Sequence, residues 1–397
     1  MKSSNPAMAT DLPFPRQYGT ELLVIARGKG VWLQDIAGKK YLDFAGGIAV
    51  NALGYGRSDL ARTAARQMKK LSHISNLFTT EPALRLARLM LATPPLRFAS
   101  VFFGNSGTEA NEAALKYARL YALRTRGPGH DKLLCFENGF HGRTLGALSC
   151  TPSVKYQEPF QPLIPGVAVA PYNDVAALER ALDDHIAGVI VEVIQGEGGL
   201  RTMTPDFARA LNEGCRKTGA ILIADEVQTG MGRTGTLFGS EGAGLLPDIV
   251  TLAKPLAGGL PLSAVLIPEK VNSLIHLGEH GTTFGGGPVT TAVAEKVWKT
   301  VSMPEFIARV RARGELLRGQ LEGLAARHTN VGALLGRGLL QGFEYKGGDV
   351  KDLLTRLQAR GLLALRSGTN VVRLAPPLVI SEEEIRKGIS IIEEELT

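Results

Sequence analysis

The segment ILIADEVQTGMGRTG, residues 221–235, ends an apolar run abruptly in two acids, Asp225 and Glu226, and follows them with glycines. An unbroken apolar run of this kind suits a strand buried on both faces of a sheet. A strand that ends in a carboxylate delivers that charge to the carboxyl edge of the sheet, where open α/β sheets bind ligands. Three chemistries use an acid there. It can hold magnesium for a nucleotide, it can precede a glycine cradle for a dinucleotide, or it can lie under a cationic ring.

The flanking sequence repeats the pattern. ASVFFGN, KLLCFE and GVIVEVI read as strands, and GTEANEAALKYARLYALR, DVAALERALDDH and PDFARALNEGCRKTG as helices. Strands alternating with helices predict a mostly parallel sheet covered on both faces, an α/β fold. Residues 20–44 read as short strands with glycine turns, followed by helices near 58–71 and 81–92. After residue 288 two long helical patterns run to about 327, then a strand pair, a helix, a second strand pair and an acidic helix follow. The texture divides the chain into a large domain, 51–289, and a smaller α+β domain built from both ends, 1–50 and 290–397.

Composition bounds the rest. The 397 residues are 44% apolar and 21% charged, as in an ordinary globular protein. The formal charge is +7, but the basic residues are dispersed, so no nucleic-acid partner is expected. Cys135, Cys150 and Cys215 form no CxxC and no framework, which suits a reducing compartment. MKSSNPAMATDLPFPRQYG lacks the apolar core of a signal peptide, and no apolar run reaches about 18 residues. The expectation is a cytoplasmic protein with no membrane span and no metal site.

Both nucleotide readings fail on spacing. Gly28-Lys29 and Gly38-Lys39 are not followed by Ser or Thr, so no phosphate loop accompanies a Walker B strand. Gly230, Gly232 and Gly235 satisfy GxGxxG after a strand, but TLFGSEGAGLLPD follows, with no helical period. The acids also precede the glycines, where a dinucleotide site needs one about 20 residues beyond them.

The cationic-ring reading needs further parts, and each has a candidate. Pyridoxal phosphate (PLP) requires a lysine for a Schiff base, a carboxylate for the pyridine nitrogen, N–H groups for the phosphate and an aromatic stack. Lys254, in DIVTLAKPLAGGLP, follows an apolar strand and can meet Asp225 at one sheet edge. Taken singly it is an ordinary strand-end lysine. Ser106, Gly107 and Thr108 stand where a strand turns into a helix, and Ser106 with Glu109 also reads as a capping box. NGFHGRT offers Phe140 for stacking and Arg143 for a substrate carboxylate.

NSGTEANE, FHGRT, EVIQGEGG, DEVQTGMGRTG, TLAKPLAGGLP, HGTTFGGGP and VVRLAPPL together resemble the class III, fold type I, PLP-dependent aminotransferases over nearly the whole chain. HISNLFTTEPALRLARLM is most similar to members of that family that act on N-acetylornithine. The resemblance implies that Lys254 carries the cofactor, Asp225 faces the pyridine nitrogen, and Val227 and Phe140 pack on opposite ring faces. It implies that Gln228 reaches the phenolic oxygen and that Ser106, Gly107 and Thr108 hold the phosphate. Thr283 matches a residue that reaches the cofactor of a second subunit, which implies a homodimer with active sites at the subunit interface. Arg143 matches the clamp for the amine donor's carboxylate, and Arg373 the clamp for the α-carboxylate of glutamate or 2-oxoglutarate. Glu197 matches the acid that covers Arg373 while a terminal amine reacts.

Ile48 stands where the ornithine-specific members carry a tyrosine, and an apolar residue there fits an acylated nitrogen. Succinylornithine, succinyl-diaminopimelate and carrier-linked lysine satisfy the same logic, with ornithine and 4-aminobutyrate as further amines. An aminomutase or racemase would share the core with less need of an Arg373–Glu197 pair. Gly287, Pro255 and the segment LGYGRSD depart from the family pattern.

Overall fold

The computed structural model describes residues 8–9, 12–18, 22–95 and 97–396. Much of the stretch read for a leader, and Thr20 and Glu21 of the first strand pattern, lie outside the described residues.

The apolar runs assemble a seven-stranded sheet in the order Ser100–Gly104, Ser263–Ile267, Ile249–Leu252, Ile221–Asp225, Ile186–Val191, Lys132–Phe136, Val167–Ala170. Only Ser263–Ile267 runs antiparallel to its neighbours; the remaining pairings are parallel. The three strands at the middle of the sheet are buried at every residue, so none alternates polar with apolar. Ile190, Ile223, Ile249 and Val265 face the helix Gly107–Arg126. Val189, Leu222, Val250 and Leu266 belong to the opposite core, with Phe207 and Leu211 of the helix Pro205–Thr218. The first helix packs closely because its contact face is alanine: a Cβ on Gly188 would sit 2.7 Å from Ala118 Cβ.

Most elements lie where the periodicity puts them, including Ser58–Lys70, Glu81–Leu91, Pro288–Val301 and Pro304–Arg327. The helix read over DVAALERALDDH stops early, at Ala181. Val167–Ala170 and Ser263–Ile267 are strands beyond those that the sequence pattern predicts. The first is a short, partly exposed edge strand, and the second starts directly after a glycine-proline turn.

Two four-stranded sheets carry most of the strands of the chain ends. One runs Val331–Arg337, Leu340–Tyr345, Val371–Leu374, Leu365–Ser367. The other runs Leu362–Leu363, Lys40–Asp43, Trp32–Asp35, Ile25–Lys29, with Leu362 opposite Leu42 in parallel register. N-terminal and C-terminal strands therefore share one sheet.

Between the first chain end and the large sheet, Gly46, Gly47, Ile48 and Ala49 all take positive φ, 58°, 62°, 61° and 61°. Asp43 Oδ1 fixes the start of this left-handed turn by accepting the N–H groups of Ala45 and Gly46 at 2.8 and 3.0 Å. A Cβ on Gly46 would lie 2.5 Å from the Ala375 carbonyl oxygen, so the turn presses against the segment that follows Arg373. A β-branched residue in this conformation is strained. Ile48 keeps 46% of its surface exposed, so little burial offsets the strain. Ile48→Gly should raise unfolding stability by about 1 kcal/mol through relief of that strain. Denaturant titration of both proteins checks this, and a less stable variant contradicts it.

Candidate active site

The strand Ile221–Asp225 brings Asp225 to the carboxyl edge, buried, where three donors converge on it. Asn111 Nδ2 donates to Oδ2 at 2.8 Å, His141 Nδ1 lies 2.8 Å from the same oxygen, and the Val227 N–H donates to Oδ1 at 3.0 Å. Asn111 is itself oriented by the Thr251 hydroxyl at 2.7 Å and donates to the His141 carbonyl. Burial alone would lower the pKa of His141, but the Asp225 and Glu192 carboxylates outweigh it and hold the imidazolium pKa above its usual value. The second acid has a different task. Glu226 accepts the Gly239 and Ser240 N–H groups at 2.9 and 2.6 Å and the Thr229 hydroxyl at 2.7 Å, so it ties down the glycine loop. That loop has no helix until the single turn Gly239–Ala243, which agrees with the exclusion of a dinucleotide site.

Lys254 follows the neighbouring strand Ile249–Leu252. Asp225 and Lys254 both line a cavity of about 430 Å³, together with Ser106, Gly107, Thr108, Phe140, Arg143, Val227 and Gln228. Burial pushes the Lys254 amine below the usual lysine range, against the pull of the Asp225, Glu197 and Glu192 carboxylates.

The phosphate candidates stand at the start of Gly107–Arg126. Ser106 caps it by accepting the Glu109 N–H at 3.4 Å. The capping box expected with Glu109 does not close: Glu109 Oε2 accepts from the Asn105 N–H and side-chain amide instead, at 2.9 and 2.8 Å. The Gly107 and Thr108 N–H groups precede the first intrahelical bonds and have no protein acceptor among the described residues. A Cβ on Gly107 would meet Val227 Cγ1 at 2.7 Å. Thr108 Oγ1 accepts the Arg143 and Thr144 N–H groups at 3.2 and 3.3 Å, so it also holds the loop that carries Arg143.

Arg373 lies on Val371–Leu374, 3% exposed. Its Nη1 donates to Glu197 Oε1 at 2.5 Å, the Gly196 carbonyl at 2.7 Å and Gln228 Oε1 at 3.1 Å. Arg373 Nε is buried without a partner among the described residues. Gly368 N–H to the Glu197 carbonyl, at 2.8 Å, and Ser367 Oγ to the Gly196 carbonyl, at 2.7 Å, strap the two segments together. Gln228, expected on the phenolic oxygen, therefore has its carbonyl turned to Arg373. Ile48 does not line the cavity: it is exposed, and Val50, two residues on, lines it instead. Thr283 does not reach the cavity; it is exposed on the loop before Pro288–Val301.

The donor set fits PLP. A fixed buried carboxylate faces the cavity, a desolvated lysine stands one strand away, and two N–H groups at a helix start await an anion. The family departures are absorbed locally. The Tyr55 hydroxyl donates to Asp43 Oδ2 at 2.6 Å, and Pro255 sits in a turn closed by Gly258 N–H to its carbonyl.

Glu192 escaped the sequence reading because EVIQ reads as strand. It is buried on the cavity wall and accepts the Phe140 and Gly196 N–H groups at 2.9 and 3.1 Å. Tyr156, also unread, packs against Arg143 and Phe140. No group of three or more metal-ligating side chains occurs among the described residues, and no helix there is long and apolar enough to cross a membrane.

The family model for aminotransferase class-III matches residues 14–396. An acetylornithine aminotransferase of Vibrio parahaemolyticus is 43% identical over 94% of this chain and 93% of its own. The acetylornithine/succinyldiaminopimelate aminotransferase of Yersinia pestis is 42% identical over 95% and 93%. The ornithine aminotransferase of Toxoplasma gondii superimposes with a TM-score of 0.90 at 33% identity, covering 94% of this chain and 90% of that one. A second structure of that protein is described with partial occupancy of PLP at the active site. The architecture is that of the fold type I PLP-dependent transferases.

Burial raises the Glu192 pKa from 4.5 to about 7, helped by the Asp225 charge and opposed by His141 and the two N–H groups. A carboxyl whose folded pKa is raised binds more protons folded than unfolded, so stability falls as pH rises between the two values. Glu192→Gln should therefore gain stability relative to the parent as pH climbs from 4.5 to about 7. Melting curves across that range test it, and parallel curves contradict it.

Proposed function

Because the chain belongs to the class III aminotransferase family and works with PLP, we propose that it moves the terminal amino group of N-acetylornithine to 2-oxoglutarate, giving N-acetylglutamate semialdehyde and glutamate. The observation that carries this reading is the Arg373–Glu197 ion pair, closed at 2.5 Å beside the cavity. A terminal amine brings no carboxylate to the reacting end, so Glu197 neutralises an arginine that would otherwise be buried and unpaired. Glutamate brings its own α-carboxylate, which takes Arg373 as Glu197 moves aside. Glu197 is 32% exposed, which leaves it room to leave. Arg143 holds the distal carboxylate of either substrate, and Ile48 leaves apolar space for the acylated nitrogen. The same geometry admits N-succinyl-diaminopimelate, the second substrate in the name of the Y. pestis relative.

Bound PLP supplies an electron sink for the carbon that bears the amine. Lys254 would hold it covalently and, with an amine destabilised as an ammonium, would take and return the proton at that carbon. Asp225 would keep a proton on the pyridine nitrogen. Gly107, Thr108 and Ser106 would hold the phosphate, and Val227 and Phe140 would pack on the ring. Gln228 would offer its amide to the phenolic oxygen, its carbonyl being on Arg373.

The reading includes a large domain over 51–289, a small domain from 1–50 and 290–397, and a cytoplasmic homodimer. Leu77, Phe78 and Phe284 are exposed beside the Thr283 loop, which Asn76 Nδ2 ties to their segment through the Thr282 carbonyl at 2.8 Å. An apolar surface of this kind suits a second copy that receives Thr283 at its phosphate.

Lys254→Ala should abolish turnover, and borohydride reduction of the parent should fix the cofactor on the peptide that contains Lys254. A label on another lysine rejects the assignment. Arg373→Ala should cost the glutamate half-reaction about 2–4 kcal/mol while sparing the acetylornithine half-reaction. Glu197→Ala should do the reverse. Single-turnover cofactor spectra separate the halves, and equal losses in both for Arg373→Ala contradict the exchange.

A further inference from the structure

Arg143 is held in an unusual way for a substrate clamp. Its Cζ lies 3.8 Å from the centroid of the Tyr156 ring and 5.4 Å from that of Phe140. The two rings meet edge to face, 6.3 Å apart at 84°. Among the described residues the guanidinium has no carboxylate partner, although Arg143 is exposed at the cavity mouth. The Tyr156 hydroxyl has no hydrogen-bond partner among the described residues either, so the ring itself makes the contact. Tyr156 belongs to the short helix Val154–Gln157. That helix is pinned by Gln157 Nε2, which donates to the Leu148 and Ser149 carbonyls at 3.0 and 3.2 Å.

An arginine can be oriented through its edge or through its face. A salt bridge occupies the in-plane N–H fork, whereas an aromatic ring occupies the plane and leaves the fork free. We infer that Tyr156 is a positioning residue that determines donor specificity. Its ring backs the Arg143 guanidinium at 3.8 Å with the fork unspent, so the enzyme selects amine donors that carry a carboxylate far from the reacting amine. The inference rests on the reading of Arg143 as the distal-carboxylate clamp. Without the ring the long side chain recovers its rotamers, and the loss falls on substrate binding rather than on the chemical step.

The test compares the holoenzyme with Tyr156→Leu, Tyr156→Met and Tyr156→Phe, using N-acetylornithine and its decarboxylated analogue N-acetyl-1,4-diaminobutane. Half-reactions are followed by the cofactor spectrum. Tyr156→Leu should raise the half-saturating concentration of N-acetylornithine by about tenfold, the scale of a partly desolvated cation–π contact, with the limiting rate little changed. Tyr156→Met should behave alike, which keeps the test standing if the leucine variant fails to fold. Tyr156→Phe should match the parent, and the decarboxylated analogue should react equally with all four proteins. Equal losses for both amines, a fall in limiting rate alone, or a phenylalanine variant as weak as the leucine one would overturn the role of the ring. Arg143→Leu separates the two levels. If that variant binds N-acetylornithine as the parent does, the clamp reading itself fails. If it weakens binding while Tyr156→Leu does not, only the Tyr156 inference fails.

Discussion

A carboxylate at the end of a buried strand is useful only if its position is fixed, and much of this site is organised to fix Asp225. Asn111 comes from the helix Gly107–Arg126, His141 from the loop after Lys132–Phe136, and the Val227 N–H from the residue two positions on. Each donor is held in turn, Asn111 by Thr251 and the His141 backbone by the Thr151 hydroxyl at 2.9 Å. Four separate segments must therefore be in register before the carboxylate is in place. A parallel sheet supplies that register, because it sets the ends of Ile221–Asp225 and Ile249–Leu252 side by side, with Asp225 opposite Thr251.

The second constraint comes from the chain ends. Arg373 is reached only after most of the sequence has been laid down, yet it donates to Gly196, Glu197 and Gln228 of the large sheet's loops. The Ala375 N–H donates to the Phe44 carbonyl at 2.7 Å and the Leu378 N–H to that of Ala52 at 2.8 Å, so the strained turn at 46–49 is held against the same segment. A buried cation beside a turn that few sequences tolerate is costly, and such costs gather where substrates bind.

The sequence was most legible where one residue type has one physical use. Double-sided burial leaves unbroken apolar runs, so Ile186–Val191, Ile221–Asp225 and Ile249–Leu252 are visible; Val167–Ala170, four residues at an edge, is not, and neither is the buried Ser263–Ile267, whose run merges with the preceding glycine-proline turn. Lys254 and Asp225 could be paired because parallel strands bring their carboxyl ends together. Glu192 and Tyr156 were not legible. A single glutamate inside an apolar run carries no mark of the two backbone N–H groups it will accept, and a tyrosine on a one-turn helix carries no mark of the arginine it will face. The Ser106–Glu109 spacing predicts a helix start, which forms, and a closed box, which does not, since Asn105 competes for the glutamate with two donors. Such choices depend on which donors lie nearest in space.

On the proposed function, the two arginines explain how a single site would serve unlike partners. Arg373 is buried beside Glu197, so its partner would have to be replaceable: a protein carboxylate at one stage, a substrate carboxylate at the other. Arg143 is exposed, and on the same reading the Tyr156 ring would orient it. Exchanging a carboxylate for a carboxylate leaves the charge count around Arg373 unchanged, so the exchange need not carry a net desolvation cost. An aromatic support contributes no charge at all, so on this reading specificity would come from competition at Arg373 and from geometry at Arg143.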